Sequence, residues 1–133
     1  MGWSDDLRIG IKSIDDQHQS LFDCFSRLKA ARLDPERQTT LLVTIIELSD
    51  YANIHFFMEE GIMRASKYPL LEEHLVEHQA FSAAIDQLRE KSADDGAFDE
   101  AISLLEDWLS RHIGGSDQKF SEHYRRLPAH STS

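Results

Sequence analysis

The sequence predicts an all-α fold, an up-down-up-down antiparallel four-helix bundle with an extended N-terminal arm. Three observations predict it. Apolar residues recur with helical spacing in four segments, short polar turns separate those segments, and no stretch alternates apolar and polar residues as a half-buried strand would. Residues 1–13 lack clear periodicity and read as the arm, carrying Trp3 and several apolar side chains. The first helix is expected over 14–33, with Leu21, Phe22, Phe25 and Leu28 on its inward seam. LDPERQ then supplies a turn and a restart, with Asp34 as N-cap and Pro35 at the first helical position. The second helix, 35–66, turns Leu41, Ile45, Leu48, Ala52, His55, Glu59 and Ile62 inward before SKYP ends it. The third, 70–91, aligns Leu71, His74, His78, Phe81, Ile85 and Leu88. After the acidic turn SADDGAFDE, the fourth, 98–113, aligns Ile102, Leu105, Leu109 and His112, and residues 116–133 form a short terminal segment and tail. One domain, 1–133, accounts for the length, with no internal repeat or linker.

Composition narrows the function. Fourteen basic against twenty-four acidic residues give a formal charge of −10. No basic patch is available to displace counterions from nucleic acid or to hold an anionic membrane surface. The N-terminus lacks an apolar run of signal-peptide length, and no stretch is expected to approach the roughly 18 or more apolar residues that a spanning helix needs. The single Cys24 cannot form an internal disulfide, so a reducing cytoplasm is the expected compartment and a buried, inert thiol the expected role. Closing the four seams on one another leaves no obvious further apolar stripe, and the chain is expected to be a monomer. The paired acids at 5–6, 15–16 and 94–95 read as turns and caps, and His123 and His130 as solvated tail residues.

The chemistry lies in what interrupts the seams. His55 and Glu59 are four residues apart, as are His74 and His78, so each pair projects from one helical face. His18 leads the first seam and His112 closes the fourth. A single HxxxH pair means little in a chain with seven histidines, and a lone inward histidine is ordinarily a hydrogen-bonded core residue. Glu59 is harder to explain that way, because a buried carboxylate without a partner is costly and no Lys or Arg occupies a seam. Five inward histidines with one or two carboxylates require a compensating charge, which a metal supplies. Without thiolates, Cys-rich structural zinc is excluded. Imidazoles with bridging carboxylates suit a dinuclear iron site in a bundle core. The four-Glu, two-His pattern of di-iron carboxylate bundles is absent. A histidine-rich set stabilises ferrous iron, which favours binding O2 over activating it.

Four stretches, IDDQHQSLF (14–22), HFFMEE (55–60), YPLLEEHLVEH (68–78) and DWLSRHIGGSD (107–117), resemble the hemerythrin family, in particular its single-domain bacterial members. The resemblance runs from Trp3 to about Phe120 in the family's order and spacing. It implies a non-haem di-iron centre, oxo- or hydroxo-bridged, with His74, His78 and His112 on one iron and His18 and His55 on the other. It further implies that Glu59 and Asp117 bridge both irons. O2, or a small anion, would take the open position on the two-histidine iron, in a pocket lined by Leu21, Phe56, Trp108, Leu109 and Ile113. The implied function is reversible O2 storage or delivery, not catalysis. The alternatives are a sensor acting through a partner, or a di-iron oxidase or nitric-oxide-handling enzyme.

One problem remains. In an α-helix, five residues turn about 500°, so Asp117 would point about 140° away from His112. Gly114 and Gly115 are expected to break or rewind the helix there, using backbone conformations closed to other residues.

Overall fold

A computed structural model describes residues 4–127, which leaves Trp3 and His130 outside the described residues. After a 3-10 turn, Asp5–Leu7, come α1 (Lys12–Ala30), α2 (Arg37–Ala65), α3 (Leu71–Glu90) and α4 (Ala97–Asp107). A π-helical segment, Trp108–Ser116, continues α4 and leads into α5 (Asp117–Arg125).

Cross-helix bonds fix the topology. Gln17 reaches Met58 and Arg27 reaches Glu47 (2.8 Å), so α1 and α2 run in opposite directions. Glu60 meets His78 and Ser49 meets Arg89, which makes α2 and α3 antiparallel. Glu77 meets His112 while Lys91 meets Glu100 (2.7 Å), so α4 runs against α3. Arg32–Asp99 (3.9 Å) at one end and His18–Asp117 (3.1 Å) at the other close the ring between α1 and the fourth helix. This is the up-down-up-down bundle that the four apolar seams predict.

The core follows those seams with small shifts. Leu21, Phe22, Phe25 and Leu28 are buried, as are Leu41, Ile45, Leu48, Ala52, Phe81, Ile85, Leu88, Leu105 and Leu109. Each of the buried Leu, Ile and Phe side chains contributes about 1.5–3 kcal/mol by leaving water. On α2 it is Met63 that is buried, with Ile62 only partly so. Asp34 does not cap α2: its carboxylate accepts from the Glu36 N–H (2.8 Å) in a turn, and the helix begins at Arg37.

The fourth helix departs most from expectation. It continues past residue 113 without a break, and α5 replaces the expected tail. His123 is therefore partly buried rather than free in solvent. It packs beside Tyr68 (5.2 Å between ring centroids) and its Nε2–H donates to the Ser66 carbonyl (2.8 Å). Cys24 is buried, and burial, then the charge of Glu47, pushes its thiol up to about 11, as an inert core cysteine requires.

A second apolar cluster, Ile9, Ile14, Met63, Tyr68 and Phe120, sits where the N-terminal residues meet α5. Here the Asp15 carboxylate accepts from the backbone N–H groups of Ile9 (2.7 Å) and Gly10 (3.3 Å), the latter at φ +95°. Ser121 and Gln118 donate to the Ile9 and Leu7 carbonyls (3.0 and 2.9 Å). Removing the Asp15 carboxylate strands a buried N–H. Asp15→Ala should therefore lower the unfolding free energy by about 1–3 kcal/mol, read as a lower urea midpoint at unchanged slope. An unchanged midpoint would show that the N-terminal residues are held by α5 alone.

One expectation is corrected. The outer face of α2 leaves Val43, Ile46, Ile54 and Phe57 exposed, Phe57 by 80%, so an apolar stripe does remain after the seams close. The same residues make α2 long and apolar enough, by length and composition, to cross a membrane, with a window of mean hydropathy 1.2. The expectation that no stretch is apolar enough to span is corrected with it: Thr44, Glu47 and Asp50 interrupt the apolar residues of α2 without lowering its mean hydropathy below that of a spanning window. Here α2 packs between α1 and α3 and carries two of the buried polar residues described next.

Candidate metal centre

The seven polar residues singled out in the sequence meet in one place. His18 comes from α1, His55 and Glu59 from α2, His74 and His78 from α3, and His112 and Asp117 from the fourth helix. All seven are buried, each 2% exposed or less. The Nε2 atoms of the five imidazoles converge on the two carboxylates, and each carboxylate divides its oxygens between two groups. Glu59 Oε1 lies 2.8 Å from His74, 3.0 Å from His78 and 3.8 Å from His112, while Oε2 lies 3.1 Å from His55 and 3.8 Å from His18. Asp117 Oδ1 faces His74 (2.9 Å) and His112 (3.4 Å), and Oδ2 faces His18 (3.1 Å). Two overlapping donor groups result, three imidazoles on one side and two on the other, with both carboxylates between them.

The donors fit cations. Glu59 Oε2, His112 Nε2 and both Asp117 oxygens are buried without a hydrogen-bond partner. Buried lone pairs left in this state are expensive, and a cation placed among them satisfies several at once. Without metal, protons balance the charge. Burial opposes a charge on His74 and His112, but contacts to Asp117 and Glu59 outweigh it, raising His74 to about 9 and His112 to about 10. Burial and Glu59 would raise Asp117, yet the charge of His112 and contacts from His18 and His74 hold it down at about 2. Burial would likewise raise Glu59, and the imidazoles of His112, His55, His74 and His78 hold it well below the usual carboxylate range. His55 is lowered, chiefly by burial.

Outer residues orient three of the five imidazoles, as is usual for metal-binding histidines, while His18 Nδ1 is buried without a partner. The Nδ1 atom of His55 pairs with Gln17 Oε1, that of His78 with Glu60 (2.8 Å) and that of His112 with Glu77 (2.8 Å). Glu77 is held by the Ser116 hydroxyl (2.7 Å), and its pKa is lowered by His112 first. The sequence alone singles out none of Gln17, Glu60 and Glu77 as a partner of a ring. Each of the three directly precedes or follows an inward residue, the one signal that could have found them. Asp15 belongs instead to the N-terminal cap, Asp16 pairs with Lys12 at the surface, and Glu73 makes no bond to a ring. Aromatic rings stack face-on against three imidazoles: Tyr51 on His55 (4.7 Å, 12°), Phe56 on His78 (3.9 Å, 2°) and Trp108 on His112 (3.8 Å, 10°). Leu21, Phe56, Trp108, Leu109 and Ile113 all belong to the buried apolar cluster around the site.

The π-helix brings Asp117 inward. Its N–H donates to the His112 carbonyl, five residues back, so residues 112 and 117 return to the same face. The rewinding expected at the two glycines is present, but by another means. Neither Gly114 nor Gly115 has positive φ; among the described glycines only Gly10 does. The change lies in hydrogen-bond register, from four residues to five. A Cβ at Gly114 would only just touch the Leu109 carbonyl oxygen (3.4 Å) and one at Gly115 would meet nothing within 4 Å, so space alone demands neither glycine.

Fold and site together define a metal-binding four-helix bundle whose donors come from every helix. The chain matches the family profile described as the hemerythrin HHE cation binding domain over residues 9–124. It is 34% identical over 121 residues to a bacteriohemerythrin of Stenotrophomonas maltophilia, covering 90% of this chain and 78% of that one. It is 32% identical over 124 residues to a bacteriohemerythrin of Pseudomonas aeruginosa (92% and 80% covered), and 29% identical over 118 residues to a myohemerythrin of Riftia pachyptila (89% and 88%). The chain belongs to the hemerythrin family.

Proposed function

We propose that the chain is a cytoplasmic, reversible O2-binding protein with a non-haem di-iron centre, serving oxygen storage or delivery. The observation that carries this reading is the division of each carboxylate between a three-imidazole and a two-imidazole group. His74, His78 and His112 would hold one iron and His18 and His55 the other, with Glu59 and Asp117 shared. Bound there, the iron pair would supply the two reducing equivalents that O2 binding uses, with His18 and His55 giving their iron one imidazole fewer than its neighbour. The protein's own residues do the rest. Gln17, Glu60 and Glu77 fix the imidazole planes and tautomers, keeping Nε2 of His55, His78 and His112 free to donate lone pairs. Leu21, Phe56, Trp108, Leu109 and Ile113 wall the pocket with carbon and exclude water, which slows irreversible oxidation of the metal.

The test is anaerobic reduction of iron-quantified protein followed by O2 titration under optical spectroscopy. Two irons per chain and a visible band that forms with O2 and disappears under vacuum are expected. A band that forms once and decays to the oxidised state would overturn the carrier reading in favour of a sensor or an enzyme. A chain that binds no iron would overturn the seven-ligand assignment.

A further inference from the structure

Tyr51 is the feature that neither the ligand set nor the apolar wall accounts for. It lies on α2 one turn before His55, stacked on that imidazole, and its ring edge meets Phe56 (5.7 Å between centroids) and Phe81 (6.2 Å). Its hydroxyl oxygen accepts from Trp108 Nε1–H (3.4 Å), which spans the core between α2 and the π-helix. That bond uses the indole's only donor. Leu21, Phe56, Leu109 and Ile113 have no polar side-chain atom, and no group among the described residues accepts the phenolic hydrogen. Tyr51 also lines, with Gln17 and His55, a solvent-open groove of about 310 Å³ between α1 and α2. The phenol thus stands where that groove reaches the two-histidine side of the site.

We propose that Tyr51 is the hydrogen-bond donor of the pocket, its phenolic O–H donating to a small anionic ligand held beside His18 and His55. The assignment rests on the open position proposed above. Trp108 has a part in it: by occupying one lone pair of the phenol oxygen, the indole N–H turns the hydroxyl hydrogen away from itself. The pocket then has one polar contact in an otherwise apolar wall. It selects for ligands that carry negative charge or an exposed lone pair over neutral ligands of the same size.

The experiment uses oxidised, iron-loaded wild type and Tyr51→Phe, with sodium azide as the probe. Tyr51→Phe keeps the ring stack and removes the hydroxyl. Azide, followed by its visible charge-transfer band, should bind roughly tenfold or more weakly to the variant, as expected for loss of a hydrogen bond to a charged acceptor. The infrared stretch of bound azide should differ between H2O and D2O in wild type, and that difference should vanish in the variant. Equal affinity, or the same isotope shift in both proteins, would overturn the role of Tyr51 and leave the open site standing. Wild type that holds two irons yet forms no azide band would overturn the open site itself, and the Tyr51 assignment with it. If the variant fails to load iron, the wild-type isotope shift decides alone, and its absence overturns the proposal.

Discussion

Glu59→Ala is expected to hold fewer than two irons per chain after anaerobic reconstitution, and to bind what remains far more weakly than wild type. Glu59 is the one residue whose two oxygens face all five imidazoles, within 3.8 Å in every case. Its removal takes a donor from both metal positions at once and leaves Asp117 as the only carboxylate between them. Loss of an outer hydrogen-bond partner ordinarily weakens a metal site by about 10–100-fold. Glu60→Gln and Glu77→Gln should fall in that range with stoichiometry intact, and Glu59→Ala well beyond it. Iron content and competition with a chelator measure both quantities. Two irons at wild-type affinity in Glu59→Ala would remove the residue from its bridging role.

The metal-free protein should lose stability as pH rises above neutral, and iron should abolish that loss. His74 and His112 titrate near 6.5 when unfolded but at about 9 and about 10 in the fold, held protonated by Asp117 and Glu59. Their contribution is fully present below pH 6.5 and is lost as pH climbs through the folded values. The carboxylates act at the other end. Asp117, lowered from 3.8 to about 2, contributes above pH 3.8 and loses that contribution as pH falls towards 2, and Glu59 acts in the same sense. The lowered His55 acts against His74 and His112 at the acid side, because below about pH 6.5 the unfolded chain takes up a proton there that the fold resists. The melting temperature of metal-free protein should therefore be highest near pH 6.5 and drop by more than about 5 °C by pH 9. Iron competes for the same nitrogens and must expel their protons, so loading at pH 7 should acidify a weakly buffered solution. A metal-free melting temperature unchanged between pH 6.5 and 9 would show that the imidazoles stay neutral in the fold.

Most of this architecture was legible because the chain's two signals reinforce each other. Helical spacing of Leu and Phe located the core, and His or Glu standing in the same register had to be buried with it. Four ligands read as i,i+4 pairs needed only the geometry of an α-helix. Asp117 did not. Its place depends on a five-residue hydrogen bond that no apolar periodicity announces, so it entered through family resemblance and a conflict with ideal helix geometry. The two glycines marked the spot without revealing the means. Gln17 and Glu60 went unread for another reason. They sit on the edges of helical faces, where a polar side chain is as readily solvated as bonded to a ring, and only the neighbouring helix decides. Tyr51 was hidden likewise, because its role depends on Trp108, fifty-seven residues away.

The π-helix also bears on how the two carboxylates are placed. The α-helical pairs on α2 and α3 act as fixed rulers, each holding its two donors one turn apart through an unbroken backbone ladder. Among the described bundle helices, the segment from Trp108 to Ser116 alone is wound to a different gauge, and it is the part that carries Asp117 into the site. A turn that exchanges five-residue for four-residue bonding swings the residues beyond it around the helix axis while its neighbours stay still. Of the two carboxylates, Glu59 is therefore placed by four-residue winding and Asp117 by five-residue winding, and α5, which starts at Asp117, in turn bonds the N-terminal residues through Gln118 and Ser121.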